Sequence, residues 1–123
     1  MILVDTSVWV DHLRARDETL FQLLDAEQVL IHPFVIGEVA LGHLRRRRLV
    51  LDTLRIIPQA PIASHGEVLH FIDEHGLFGF GIGYVDVHLL ASAQLTAGVK
   101  LWTRDKRLLD AANRLALAAN LPP

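Results

Sequence analysis

Short apolar runs that stop on polar residues recur along the chain, each followed by a segment with helical spacing. That alternation is what most constrains the fold. The first run, Met1-Ile2-Leu3-Val4, halts at Asp5-Thr6-Ser7, and Val29-Leu30-Ile31 and Val99 to Thr103 repeat the pattern. Helices are expected over Ser7 to Leu13 with Thr6 or Ser7 as cap, from Asp17 to about Glu27, and from Pro33 to Leu41. Further ones follow at Leu49 to Leu54, Ser64 to Gly76, Tyr84 to Ala97 and Arg104 to about Asn113, with a short last strand around Ala116 to Ala118. Strands alternate with helices throughout. The pattern therefore predicts a three-layer α/β/α domain with a mostly parallel central sheet.

Local signals sharpen several boundaries. Pro33 suits a first helical turn, where its missing N–H has no partner to lose. Ser64-His65-Gly66-Glu67 has the form of a capping box, and Gly76 and Gly98 suit helix C-termini. Ile56 to Ile62, with Pro58 and Pro61, reads as extended, and Leu77 to Gly83 as a glycine-rich loop packed down on the surface.

The 123 residues predict one domain over positions 1–123 with one core. Apolar residues make up 51% of the chain, but no stretch approaches the ~20 apolar residues of a membrane span. The opening run lacks a basic leader, so no secretory signal is read and a cytoplasmic location is expected, with no membrane partner. Without cysteine, any metal must be held by oxygen or imidazole. Twelve basic residues against 14 acidic leave a net charge of -2, so nucleic acid would have to be met by local charge.

Four acids stand in apolar company. Asp5 ends a strand and Asp105 lies just past another, where open parallel sheets bind ligands. Glu38, flanked by Phe34, Val35 and Leu41, is expected on the apolar face of its helix, and Asp86, with Ile82, Leu89 and Leu90 around it, lies near the start of another. Each also has an ordinary reading, Asp5 and Asp105 as helix caps, Glu38 and Asp86 as partners of backbone amides or arginines. No cationic neighbour is evident beside any of them, and two like charges about 4 Å apart repel by roughly 4 kcal/mol at an effective dielectric near 20. A divalent cation would satisfy all four at once, and oxygen-only ligands point to Mg²⁺, with Mn²⁺ as the other choice.

These residues resemble a known family. Val4-Asp5-Thr6-Ser7, Glu38 within Val35-Ile36-Gly37-Glu38-Val39, Asp86 ahead of Leu89-Leu90-Ala91-Ser92-Ala93, and Leu101-Trp102-Thr103-Arg104-Asp105 are similar, in order and spacing, to the motifs of PIN-domain ribonucleases of the VapC toxin type. The resemblance spans essentially the whole chain and implies a PIN-like fold. It also implies metal-dependent endonucleolytic cleavage of RNA, a cognate antitoxin protein and a homodimer. Asp5, Glu38, Asp86 and Asp105 would then be catalytic and hold the metal, Asp5 and Asp86 most directly. Ser7 and Thr103 would support those ligands or touch phosphate.

Other features carry less. Arg45-Arg46-Arg47-Arg48 is a candidate grip on RNA phosphates, although cations that close a helix also complement its dipole. None of the seven histidines forms an i, i+4 pair, and His88 is expected on a different helix face from Asp86. Trp9, Leu13, Phe78 and Phe80 are candidates for a partner-binding surface, with core packing the competing reading for Trp9. A receiver-like phosphoacceptor domain is the alternative from another class, but it needs an acidic pair closing the first strand. A phosphatase of the haloacid dehalogenase type needs an aspartate at position 7, which is Ser. A non-catalytic metal-binding interaction module also stands as an alternative.

Overall fold

Strand β1 (Ile2–Val4) lies at the centre of the sheet in a computed structural model that describes residues 1–122. It takes β2 (Val29–Leu30) on one side and β3 (Lys100–Trp102) on the other, both parallel, in the order β2-β1-β3. Ile2 faces Val29 and Lys100, Leu3 faces Leu30 and Leu101, and Val4 faces Trp102. Leu3, Val4 and Leu101 are wholly buried. Burial on both faces is why these runs lack polar alternation, and each such side chain contributes about 1.5–3 kcal/mol when withdrawn from water. Single parallel bridges lengthen both edges of the sheet, Ile31 with Gln59 and Leu101 with Ala118. The expected last strand is thus one bridge, held by Leu101 N–H to Leu117 O and Ala119 N–H to Leu101 O.

Between β1 and β2 run α1 (Thr6–Arg14) and α2 (Glu18–Asp25). Four helices separate β2 from β3: α3 (Pro33–Ala40), α4 (Arg47–Ile56), α5 (His65–His75) and α6 (Tyr84–Leu95). Helix α7 (Lys106–Arg114) follows β3. The capping box forms as expected, Ser64 and Glu67 each bonding the other's backbone N–H, and Gly76 closes α5 in the left-handed conformation. Helix α6 is apolar around most of its circumference because Val87 to Ala93 are all buried, packed against α5 and β3.

Three local readings change. The N-cap of α1 is Asp5 itself, whose side chain accepts from Ser7 N–H, and not Thr6 or Ser7. Asp, Thr and Ser are all good caps, and the one directly after the strand's last bridge, Val4 with Trp102, takes the role. The four arginines do not close α3, which ends at Ala40; Arg46, at φ 53°, is the N-cap of α4, and Arg47 and Arg48 form its first turn. Their charges therefore sit at the dipole's positive end and are not explained by it. Helix α6 ends at Leu95, so Gly98, at φ 79°, turns the chain into β3 and does not cap the helix.

Candidate active site

The carboxyl edge of the sheet delivers two of the four acids directly. Asp5 leaves β1, with its backbone N–H bonded to Trp102 O, and Asp105 leaves β3 three residues past its last strand position. Asp5 is only 4% exposed. Its Oδ2 accepts from Ser7 N–H at 3.3 Å, from the Ser7 hydroxyl at 2.6 Å and from the Thr103 hydroxyl at 2.8 Å. Both hydroxyls are also held by the turn that follows β3: Ser7 Oγ accepts from Arg104 N–H and Thr103 Oγ1 from Asp105 N–H, while each donates to the acceptor-only Asp5 carboxylate.

The other acids are held by the same device, one oxygen fixed by the chain. Thr6 Oγ1 donates to Glu38 Oε1 at 2.7 Å, joining the start of α1 to α3. Gly83 N–H donates to Asp86 Oδ2 at 3.0 Å, where Asp86 sits in the first turn of α6. Asp105 caps α7, its Oδ1 accepting from Arg107 and Leu108 N–H. Among the described residues no donor reaches Asp5 Oδ1, Glu38 Oε2, Asp86 Oδ1 or Asp105 Oδ2, and none of the four acids is in a salt bridge.

Hydrogen bonds tie Glu38 and Asp105 to residues that neighbour or hold Asp5, and Asp86 feels the charge of all three. Burial raises the Asp86 carboxyl above its ordinary value; the Gly83 N–H opposes this, and the charges of Asp5, Asp105 and Glu38 push it further up. The carboxylates bear on one another without closing into a tight shell, and among the described residues no three His, Asp or Glu side chains form a ready metal-binding cluster. The donor set, four acids each with one unclaimed oxygen and no cationic partner, fits a hard divalent ion.

Glu38 departs from its expected place. It is exposed, because the buried positions of α3 are Val35 and Val39, while Leu41, one turn beyond Glu38, is 90% exposed. Residues of the wider site that spacing did not reveal include Thr6 and Arg104, and the buried His32 that caps α3 was not singled out either. Arg104 ties the site's turn to the neighbouring helices, donating to Asp11 at 2.8 Å and to Asp17, with its guanidinium 5.4 Å from the Trp102 ring centre. His32 caps α3, accepting from Phe34 N–H through Nδ1; it is fully buried, and burial and the neighbouring His88 lower its pKa to about 4. An arginine right after a strand's Thr, and a histidine right before a helix-opening proline, were the available signals.

Among the described residues none of the remaining candidates is hydrogen-bonded to or ion-paired with the carboxylates of the four acids. Arg45 to Arg48 are exposed, and none of them is ion-paired among the described residues; Arg47 and Arg48 line a cleft with Leu51 and Arg55. Trp9 is 2% exposed and belongs to the core, so it is not available to a partner. Phe80 packs against the core beneath Arg114, whose guanidinium lies 4.6 Å from its ring centre. Leu13 and Phe78 do face solvent, Phe78 at 72% exposure.

A parallel sheet with four acids gathered at its carboxyl edge defines a class, and a family model described as "PIN domain" matches residues 2–114. This chain belongs to the PIN-domain family, in its VapC branch. It is 48% identical over 118 residues to the protein named Ribonuclease VapC32 in Mycobacterium tuberculosis strain H37Rv, which covers 96% of this chain and 95% of that protein. The protein of the same name in strain CDC 1551 matches equally. Among solved structures, a chain described as "Structure of FitAB bound to IR36 DNA fragment" superposes with a TM-score of 0.61 at 20% identity, covering 92% of this chain and 91% of that one, a likeness of fold. Among the described residues no helix is long and apolar enough to cross a membrane.

Proposed function

We propose that this protein is a divalent-metal-dependent endoribonuclease acting as the toxin of a toxin–antitoxin pair in the cytoplasm. The observation that carries the reading is the convergence of Asp5, Glu38 and Asp105 on Asp86, without a single ion pair among them. The near-full-length similarity to proteins named as VapC ribonucleases supports RNA as the substrate. Asp5, Glu38, Asp86 and Asp105 would hold Mg²⁺ or Mn²⁺ through their unclaimed oxygens. A divalent ion in such a site supplies a deprotonated water at neutral pH and a counter-charge for phosphate oxygens.

The chain's own part is orientation. Ser7 and Thr103 hold Asp5 Oδ2 and leave Oδ1 without a donor among the described residues, Thr6 holds Glu38, and Gly83 holds Asp86. Asp5 is buried among these donors and cannot swing away, which keeps one carboxylate in place while substrate arrives. No side chain is needed as nucleophile. Arg45 to Arg48, exposed and unclaimed by acids, are assigned to RNA phosphates away from the cut, and Leu13 and Phe78 to the face that meets the antitoxin or a second copy in a homodimer.

The test is incubation of total RNA with the purified protein in Mg²⁺, in Mn²⁺ and in chelator, followed by mapping of new 5′ ends. Discrete cuts that need metal and vanish in Asp5→Asn are expected. Cutting that survives chelator, or that Asp5→Asn retains, would overturn the assignment.

A further inference from the structure

Beside the acidic site stands a cation that no acid claims. Arg107 is the second residue of α7, and its own N–H donates to Asp105 Oδ1. Its side chain crosses to the glycine-rich loop, where Nη1 lies 3.5 Å from Gly81 O, too long for more than a weak bond. Two residues further on, Gly83 N–H holds Asp86. The side chain is therefore anchored next to Asp105 at one end and close in sequence to the Asp86 contact at the other.

Gly81 makes the room for it. A Cβ there would lie 2.8 Å from Arg107 Nη1, 3.2 Å from Cδ and 3.3 Å from Cζ, and the residue's φ of 74° also favours glycine. The Arg107 side chain packs close against the bare backbone of Gly81, which restricts its rotamers before any ligand arrives and reduces the entropy lost on binding. It is exposed, and among the described residues no carboxylate pairs with it, whereas Arg16, Arg55 and Arg104 all have acidic partners.

We propose that Arg107, seated over the bare backbone of Gly81, binds a phosphate of the RNA strand as it enters the acidic site. This rests on the nuclease reading above. Four carboxylates repel a polyanion, and an arginine fork at their edge offsets that repulsion while fixing the strand's position, because guanidinium and phosphate match in a planar, two-point contact. The weak bond to Gly81 O gives Arg107 little part in holding the fold together.

The experiment measures binding of a short single-stranded RNA of mixed sequence in chelator, where no cutting occurs, across a series of salt concentrations. Arg107→Gln is expected to bind about tenfold more weakly, the loss of one charge-assisted contact, and to flatten the slope of log affinity against log salt by about 0.7. Arg107→Lys should restore the slope but only part of the affinity. Gly81→Ala, by displacing the guanidinium, should weaken binding in the same way, and should add nothing when combined with Arg107→Gln. A purely structural residue would lower the melting temperature and leave the salt slope alone. Unchanged affinity and slope in Arg107→Gln would overturn the proposal while leaving the nuclease reading intact if the parent protein still cuts RNA. A parent protein that neither binds nor cuts RNA overturns both.

Discussion

Thr103 and Asp5, 98 positions apart in the chain, are joined by a 2.8 Å hydrogen bond from the Thr103 hydroxyl to Asp5 Oδ2. It fastens the end of β3 to the end of β1 at the point where the site is built. Ser7 makes the matching bond from the other side. Removing such supporting donors usually costs about 10- to 100-fold in metal affinity or activity. Ser7→Ala and Thr103→Val should each fall in that range, and the pair together should fall short of the product of the two, since both act on one oxygen. Metal-dependent cleavage rates with a circular dichroism check of the fold would decide it; full activity in the double variant would refute the role.

Asp86 is expected to oppose folding when no ion is bound. Its folded-state pKa is raised, so the proton it holds stabilises the protein below the unfolded value of 3.8, and that contribution disappears as pH climbs through the folded value. At neutral pH the ionised group is a net cost. Asp86→Asn keeps an acceptor for Gly83 N–H and should melt higher than the parent in chelator at pH 7, with the gap closing in acid. Saturating Mg²⁺ should reverse the order, because only the parent gains ligand stabilisation, about 2.7 kcal/mol at a hundredfold excess over Kd. Equal melting temperatures in chelator at pH 7 would count against the crowding of charge at Asp86.

Acid sensitivity should trace in part to His32. Its folded pKa of about 4 lies below the ordinary value of 6.5, so the unfolded chain takes up the proton first and stability falls as pH drops from about 6.5 towards 4. The full displacement corresponds to at most about 3 kcal/mol. His12 and His88 are shifted the same way by burial and add to the slope. His32→Asn retains a capping acceptor for Phe34 N–H. It should be less stable than the parent at pH 7 and show a shallower loss between these pH values by urea unfolding; a parallel pair of curves would exclude His32 as the source.

Arg104 should matter to stability more than its place beside the site suggests. It bonds Asp11 and Asp17 at once, with most of its side chain covered. Hydrogen bonding to this arginine and to Leu20 N–H outweighs desolvation and lowers the Asp17 carboxyl below its ordinary value. Arg104→Met should cost about 1–3 kcal/mol by denaturant unfolding, and Asp17→Asn should add less on that background than alone. A fully additive double variant would mean that the pair is not coupled.

How far the chain can be read before it is folded differs from residue to residue. The buried run to Val4, the capping box at Ser64, and the position of Asp5 and Asp105 just past two strands were legible because each rests on local chemistry or spacing. The start of α1 was not, since Asp5, Thr6 and Ser7 are interchangeable as caps and only the strand pairing decides among them. Arg45 to Arg48 read as the end of a helix because arginine is a good helix former, and the left-handed Arg46 that separates α3 from α4 has no mark in its residue type. Glu38 was placed on the wrong face because α3 is apolar on nearly every side, so its period says little about orientation. Arg104 and Thr6 act across long stretches of chain, where no local pattern can announce them.

The double role of Asp5, cap of the first helix and candidate metal ligand, bears on how this protein can lose its activity. Most replacements at that position strip the helix of its cap as well as the site of its carboxylate, so they would be recorded as poorly folded chains and reveal nothing about the reaction. Asparagine is the replacement nearest in shape, because it caps about as well as aspartate, as serine and threonine also can, and keeps the side chain's outline while carrying no charge. A search for silent but intact forms of this chain should therefore return to that one substitution repeatedly, and any partner that recognises the folded surface should go on binding them.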